Sequence, residues 1–149
     1  MHGKPYWRLL AMTALSFAAM YVLMYAMVNV LANAIPNLNQ FYMAGLMVAP
    51  MVIIELVVMR SMYPSRRWNG AIVAASIAAL AVLWVGIRQQ VAITDREFLK
   101  SMIPHHAAAI LMCEKAKPRA PEIKKLCSDI VSSQQAEIDQ MKGLLGKGG

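Results

Sequence analysis

The chain has 149 residues, of which 58% are hydrophobic and only 15% charged. That is more apolar than an ordinary soluble domain, while Gly and Pro are too few to suggest disorder. The net charge of +7 does not indicate a nucleic-acid partner once it is located. Lys4, Arg8, Arg60, Arg66, Arg67 and Arg88 flank apolar runs and are opposed only by Glu55, whereas nine basic residues after position 88 face seven acidic ones. The basicity therefore borders membrane segments, and no RNA- or DNA-binding motif accompanies it.

Leu9 to Leu31 is one uncharged apolar run. At about 1.5 Å per residue it crosses a hydrocarbon layer of ~30 Å. Tyr6 and Trp7 precede it as interfacial anchors. A secretory signal peptide is the competing reading, with Lys4 and Arg8 as its basic start and Ala32-Asn33-Ala34 as a cleavage-like site. The run exceeds the ~7–15 residues of a signal core, which favours a retained helix. Asn33–Gln40, uncharged and holding Pro36, reads as a loop. Phe41–Met59 is a second span, Arg60–Asn69 a basic loop, and Gly70–Ile87 a third span. The basic N-terminus and the basic loop place those segments in the cytoplasm. Three crossings then put everything after Arg88 outside, which for a bacterial inner membrane is the periplasm. The chain divides into a three-helix transmembrane region, 1–90, and an extramembrane domain, 91–149.

Within the spans, Met20, Met24 and Met27 recur at helical spacing, as do Met43, Met47 and Met51. Methionine is a flexible packing residue, so helix contacts are the plain reading of both stripes. The sharper one is a thioether path for Cu(I), continued by Glu55. A carboxylate within a span is expensive to bury, and Glu55 lies near enough to the cytoplasmic edge to pair with Arg60 or Arg8. Gly70, Ala74 and Ala78 form a row of small residues that permits close helix approach.

Beyond the spans, Thr94 and Glu97 form a capping box. Phe98, Leu99, Met102, Ile103, His106, Ala109, Ile110 and Cys113 follow as an apolar stripe interrupted by Pro104, which is expected to kink the helix or free a carbonyl. Lys117–Pro121 is a turn, and Pro121 suits the first position of a second helix. The apolar face of that helix reads Ile123, Leu126, Cys127, Ile130, Val131, Ile138, Met141 and Leu145, with Gly143 weakening its last turn. Two such helices imply an antiparallel hairpin. With the turn centred near Ala120, Cys113 faces Cys127 and His106 faces Gln134. A hairpin alone buries little apolar surface, so dimerisation into a four-helix bundle is the simplest completion.

The first of these helices concentrates soft ligands. Met102-Ile-Pro-His105-His106-Ala-Ala-Ala-Ile-Leu-Met112-Cys113 holds two of the three histidines, one of the two cysteines and two of the thirteen methionines. Met102, His106 and Cys113 share a helical face. Imidazole, thiolate and thioether together suit copper, and thioether favours Cu(I). For Cys113 and Cys127 a disulfide and metal-binding thiols both remain open. There is no CxxC or zinc-finger spacing. No nucleophile–base pair is recognisable, so an enzyme is not expected.

Asp95–Ile110 with its Met-Ile-Pro-His-His core, and Gln134-Gln135-Ala-Glu137-Ile138-x-x-Met141, resemble the ferritin-like domain of unknown function number three hundred and five. Its members include periplasmic copper-binding proteins of the CopM type. The resemblance runs from about Asp95 to Leu145 and implies an all-α fold: half of a ferritin-like four-helix bundle, carried here after three transmembrane helices. Carried over by position, the family-pattern residues are Met102, His105, His106, Glu137 and Met141. The expectation is a membrane-anchored periplasmic copper-binding protein for tolerance or delivery. Its ligands are Met102, His105, His106, Met141 and, additionally, Cys113, with Gln134 and Glu137 orienting a histidine. The expected partners are the bilayer, a second copy of the chain and periplasmic copper proteins. A Cu(I) transporter using the methionine stripes and a metal-free dimerisation module are the alternatives.

Overall fold

A computed structural model describes residues 4–147. Every regular element among them is helical: α1 (Lys4–Leu23), α2 (Leu38–Val58), α3 (Arg66–Arg88), α4 (Asp95–Lys115) and α5 (Pro121–Lys147), with short 3₁₀ turns at Met24–Met27, Leu31–Asn33 and Arg60–Met62. Three segments, Lys4–Met27, Leu38–Val58 and Arg66–Arg88, are long and apolar enough to cross a membrane. The first was expected to run to Leu31. Instead the α-helix stops at Leu23 and tightens into a 3₁₀ turn, as is common at helix C-termini.

The described residues fall into two compact units, 4–23 with 39–92 and 24–38 with 93–147. The first unit is built on Leu9 of α1, Val48, Val52 and Leu56 of α2, and Tyr63. At one end Tyr6 organises the α2–α3 connection: its hydroxyl accepts the Ser65 N–H at 3.1 Å and donates to Asn69 Oδ1 at 2.9 Å. Ser65 in turn caps α3 by accepting the Trp68 N–H. At the other end Asn39 and Gln90 exchange amide hydrogen bonds, and the Tyr42 hydroxyl donates to the Val91 carbonyl at 2.6 Å.

The close approach of α2 and α3 does not use the Gly70 row. A Cβ at Gly70 would meet nothing within 4 Å, whereas one at Gly45 would lie 2.5 Å from Leu83 Cδ1 and one at Gly86 3.2 Å from the Tyr42 ring. The large residues opposite these two glycines fill the space that a side chain would need. Glu55 does not pair with Arg60 or Arg8 either. It accepts a hydrogen bond from the Tyr63 hydroxyl at 3.1 Å, so a buried neutral donor serves the carboxylate and the arginines stay at the surface.

In the second unit α4 and α5 pack on each other. Ile103, Ala107, Ile110, Ile138 and Met141 form the core, at most 8% exposed. Val28 and Ile35, from the segment that links α1 to α2, lie against that core. The apolar cover that the sequence assigned to a second copy thus comes in part from residues 24–38. Ile123 and Leu126, read as core-facing, are exposed at 51% and 56%, because the packed stripe of α5 centres on Ile138 and Met141 further along. α4 continues through Pro104. Only half of its capping box forms: Thr94 Oγ1 accepts the Glu97 N–H at 3.3 Å. The Glu97 carboxylate turns to Lys100 Nζ at 2.7 Å and to the Leu38 N–H at 2.9 Å. It thereby supplies an acceptor to the first residue of α2, whose N–H has no partner within its own helix.

Candidate metal centre

His106 falls on the apolar stripe of α4 and is only 6% exposed. A buried imidazole needs partners for both nitrogens, and it has them. Nδ1 lies 2.9 Å from the Met102 carbonyl oxygen, and Nε2 lies 2.6 Å from Glu137 Oε2 on α5. A carbonyl can only accept, so Nδ1 carries a proton, and Nε2 is the nitrogen presented to the carboxylate. One ring N–H is fixed by a backbone oxygen, as it is in histidines that hold metals, while the other nitrogen is taken up by an acidic group. The Glu137 side chain is 51% exposed, so that nitrogen lies beside a route to solvent.

His105 follows on α4, with its ring centroid 6.1 Å from that of His106 and the planes at 63°. It is exposed and makes no hydrogen bond among the described residues. Met102 packs against the edge of the core, and Met141 belongs to it. Met102, His106, Glu137 and Met141 therefore occupy the same stretch of the α4–α5 contact. Gln134 is half-buried and hydrogen-bonds to neither histidine. Glu137, one turn further along α5, takes the position that a residue-by-residue pairing about Ala120 gave to Gln134.

Cys113 stands apart from this group. It lies seven residues beyond His106, about 10 Å along a helix axis, and shares the lining of one cavity with Cys127 of α5. The neighbouring Cys127 thiol, and secondarily burial, push the Cys113 thiol above its ordinary pKa. Both cysteines are free and half-buried.

Among the described residues no three His, Cys, Asp or Glu side chains converge. A cation at His106 would need the thioethers of Met102 and Met141, or His105, to complete its coordination. These donors are chemically consistent with Cu(I) and would suit a hard cation poorly.

The methionine stripes of the spans do not stay together. Met20 and Met51 pack on the core of the first unit. Met43 and Met47 are 40% and 42% exposed on its outside. Met24 and Met27 lie in the 3₁₀ turn of the second unit, where the change of helix type breaks their spacing.

The family described as a domain of unknown function, DUF305, matches residues 64–145, more than half of the chain. The chain is a DUF305 protein. The DUF305 match begins before α3, so the family region includes an apolar helix that a motif starting at Asp95 leaves out. This DUF305 protein is also 36% identical, over 143 residues, to an uncharacterised protein of Acanthamoeba polyphaga mimivirus. That likeness covers 92% of this chain and 90% of the relative, so it takes in the apolar helices as well as α4 and α5. No solved structure matches the chain.

Proposed function

We propose that this DUF305 protein is a membrane-anchored copper-binding protein of the CopM kind, serving tolerance or delivery. Its α4–α5 pair acts as a ferritin-like hairpin on the non-cytoplasmic side, the periplasm of a bacterial inner membrane. The reading is carried by the His106 ring, with Nδ1 held by the Met102 carbonyl and Nε2 offered to a half-exposed carboxylate. Supporting it are an exposed second imidazole, two neighbouring thioethers, and the asymmetry of Lys and Arg around the spans.

In this reading Met102, His105, His106 and Met141 hold Cu(I) as cargo. The Met102 carbonyl fixes the tautomer of His106. Glu137 swings toward solvent, the proton shared between its carboxylate and Nε2 is lost to water, and the ionised carboxylate then neutralises the added positive charge. The exposed His105 is the first group to meet the cation. A second copy, which the exposed Ile123 and Leu126 could receive, would bring two such clusters into one bundle.

The test is competition for Cu(I) between a chromogenic chelator and the full-length protein in detergent. His105→Ala removes an exposed side chain, so the helical circular dichroism and its melting should not change. Copper affinity should fall about tenfold or more, equivalent to ~1.4 kcal/mol. Unchanged affinity would overturn the assignment.

A further inference from the structure

We propose that Cys113 and Cys127 form a second, independent site: a dithiol clamp for one soft monovalent cation, Cu(I) or Ag(I). The two thiols, one from α4 and one from α5, line the same recess. They open on a cavity of about 490 Å³, which Lys124, Ser128, Ser132 and Pro118 also line. Each sulfur sits on a different helix, and the turn between those helices is constrained by Pro118 and by Lys117, whose φ is 49°. The pair is therefore held together before any cation arrives.

The chemistry of the lining selects the ligand. No His, Asp or Glu lines the cavity, and no third such side chain joins the two cysteines among the described residues. Zinc, which takes four ligands in structural sites and three protein ligands in catalytic ones, is left short. Hard cations gain nothing from sulfur. A monovalent soft cation is satisfied by two thiolates in a linear arrangement. On binding, two S–H bonds break, two sulfur–metal bonds form and two protons leave to solvent, with no electron transferred. The resulting dithiolate complex carries one negative charge, and the Lys124 ammonium at the cavity wall offsets it. The distance of about 10 Å along α4 between His106 and Cys113 prevents the two sites from sharing one ion. The clamp therefore does not rest on the histidine reading.

Silver is the probe, because Ag(I) binds thiolates without oxidising them. Reduced full-length protein in detergent is alkylated with iodoacetamide under nitrogen, with and without one equivalent of Ag(I), and weighed intact. Without silver both cysteines should be alkylated. With silver neither should be, in the wild type and equally in His105→Ala. In Cys113→Ser the single remaining thiol should lose that protection, and likewise in Cys127→Ser. Two outcomes overturn the proposal: silver leaves both thiols open to alkylation, or one thiol alone is protected as well as the pair. Aerial formation of a Cys113–Cys127 disulfide at the same rate with and without silver also overturns it, since the pair would then serve only as a covalent staple.

Discussion

Replacing Ile138 by Ala tests the packing on which the histidine site depends. Ile138 is fully buried among Ile103, Ala107, Ile110 and Met141. Truncating a buried isoleucine to alanine costs about 2–5 kcal/mol, the upper part applying where the site cannot collapse. Ala107, directly within this cluster, carries only a methyl group, which cannot swing into the void, so a loss of about 3 kcal/mol is expected. The unit holds about 70 described residues, and at ~0.05–0.15 kcal/mol per residue its whole stability is roughly 4–10 kcal/mol. One methylene-rich side chain thus accounts for a third or more of it.

Apolar spans resist denaturant, so the assay is amide hydrogen exchange across α4 and α5 of the full-length protein in detergent, which reports local opening. The loss should accelerate exchange roughly a hundredfold, since each ~1.4 kcal/mol is tenfold. Ile123→Ala is the control. At 51% exposure it should change exchange by less than about tenfold, in keeping with the small effects of surface substitutions. An acceleration below tenfold for Ile138→Ala would refute the packing described here. Equal effects of the two substitutions would show that the Ile123 face is covered as fully as the Ile138 face.

Two further outcomes follow from local geometry. Gly143 lies inside α5, and a Cβ there would meet nothing within 4 Å. Gly143→Ala should therefore stabilise α5 by about 0.5–1 kcal/mol, read as slower hydrogen exchange near its C-terminus; faster exchange would mean that the helix does not persist there. The Glu97 carboxyl is held below its ordinary pKa, first by the hydrogen bond from Lys100 and, against the opposing effect of burial, by the Leu38 N–H. A depressed carboxyl pKa contributes stability above the unfolded value, and that contribution is lost as pH falls through the folded one. Wild type should therefore melt above Glu97→Gln at neutral pH, and the gap should close on acidification below the ordinary carboxylate range. A gap that is the same at all pH values would remove Glu97 as its source.

Much of the helical layout was legible in the sequence because its signals are local. Thr94 before Asp95 and Pro121 before Glu122 mark helix starts by cap chemistry, and three uncharged runs mark the long apolar helices. What was not legible depends on contacts between distant residues. Nothing near Glu97 says that its carboxylate serves Leu38, 59 positions earlier. Nothing near Val28 or Ile35 says that they lie on the α4–α5 core. Both were absorbed into a span or a loop, because an apolar residue next to an apolar run carries no sign of which surface it covers. The pairing of the cysteines was readable from the turn, whose position fixes the nearby register. Further from the turn the same count put Gln134 where Glu137 stands, since a helix offers side chains three and four residues apart on one face.

That ambiguity explains what the His106–Glu137 contact contributes. Apolar stripes at helical spacing tolerate a slip of one turn, because isoleucine meets isoleucine or methionine either way. The imidazole does not tolerate it equally. A slip in one direction would bring Gln134 to Nε2 and exchange a charged hydrogen bond for a neutral one, which is about half as strong. A slip in the other direction would bring Met141, whose thioether accepts only weakly, and would leave a buried nitrogen unsatisfied at a cost of ~1–3 kcal/mol. The one polar residue in the α4 stripe thus discriminates between registers that the apolar residues treat alike. The discriminating atom is the ring nitrogen bonded to Glu137, so any shift of α5 along α4 would also break the contact that ties the two helices together at this point.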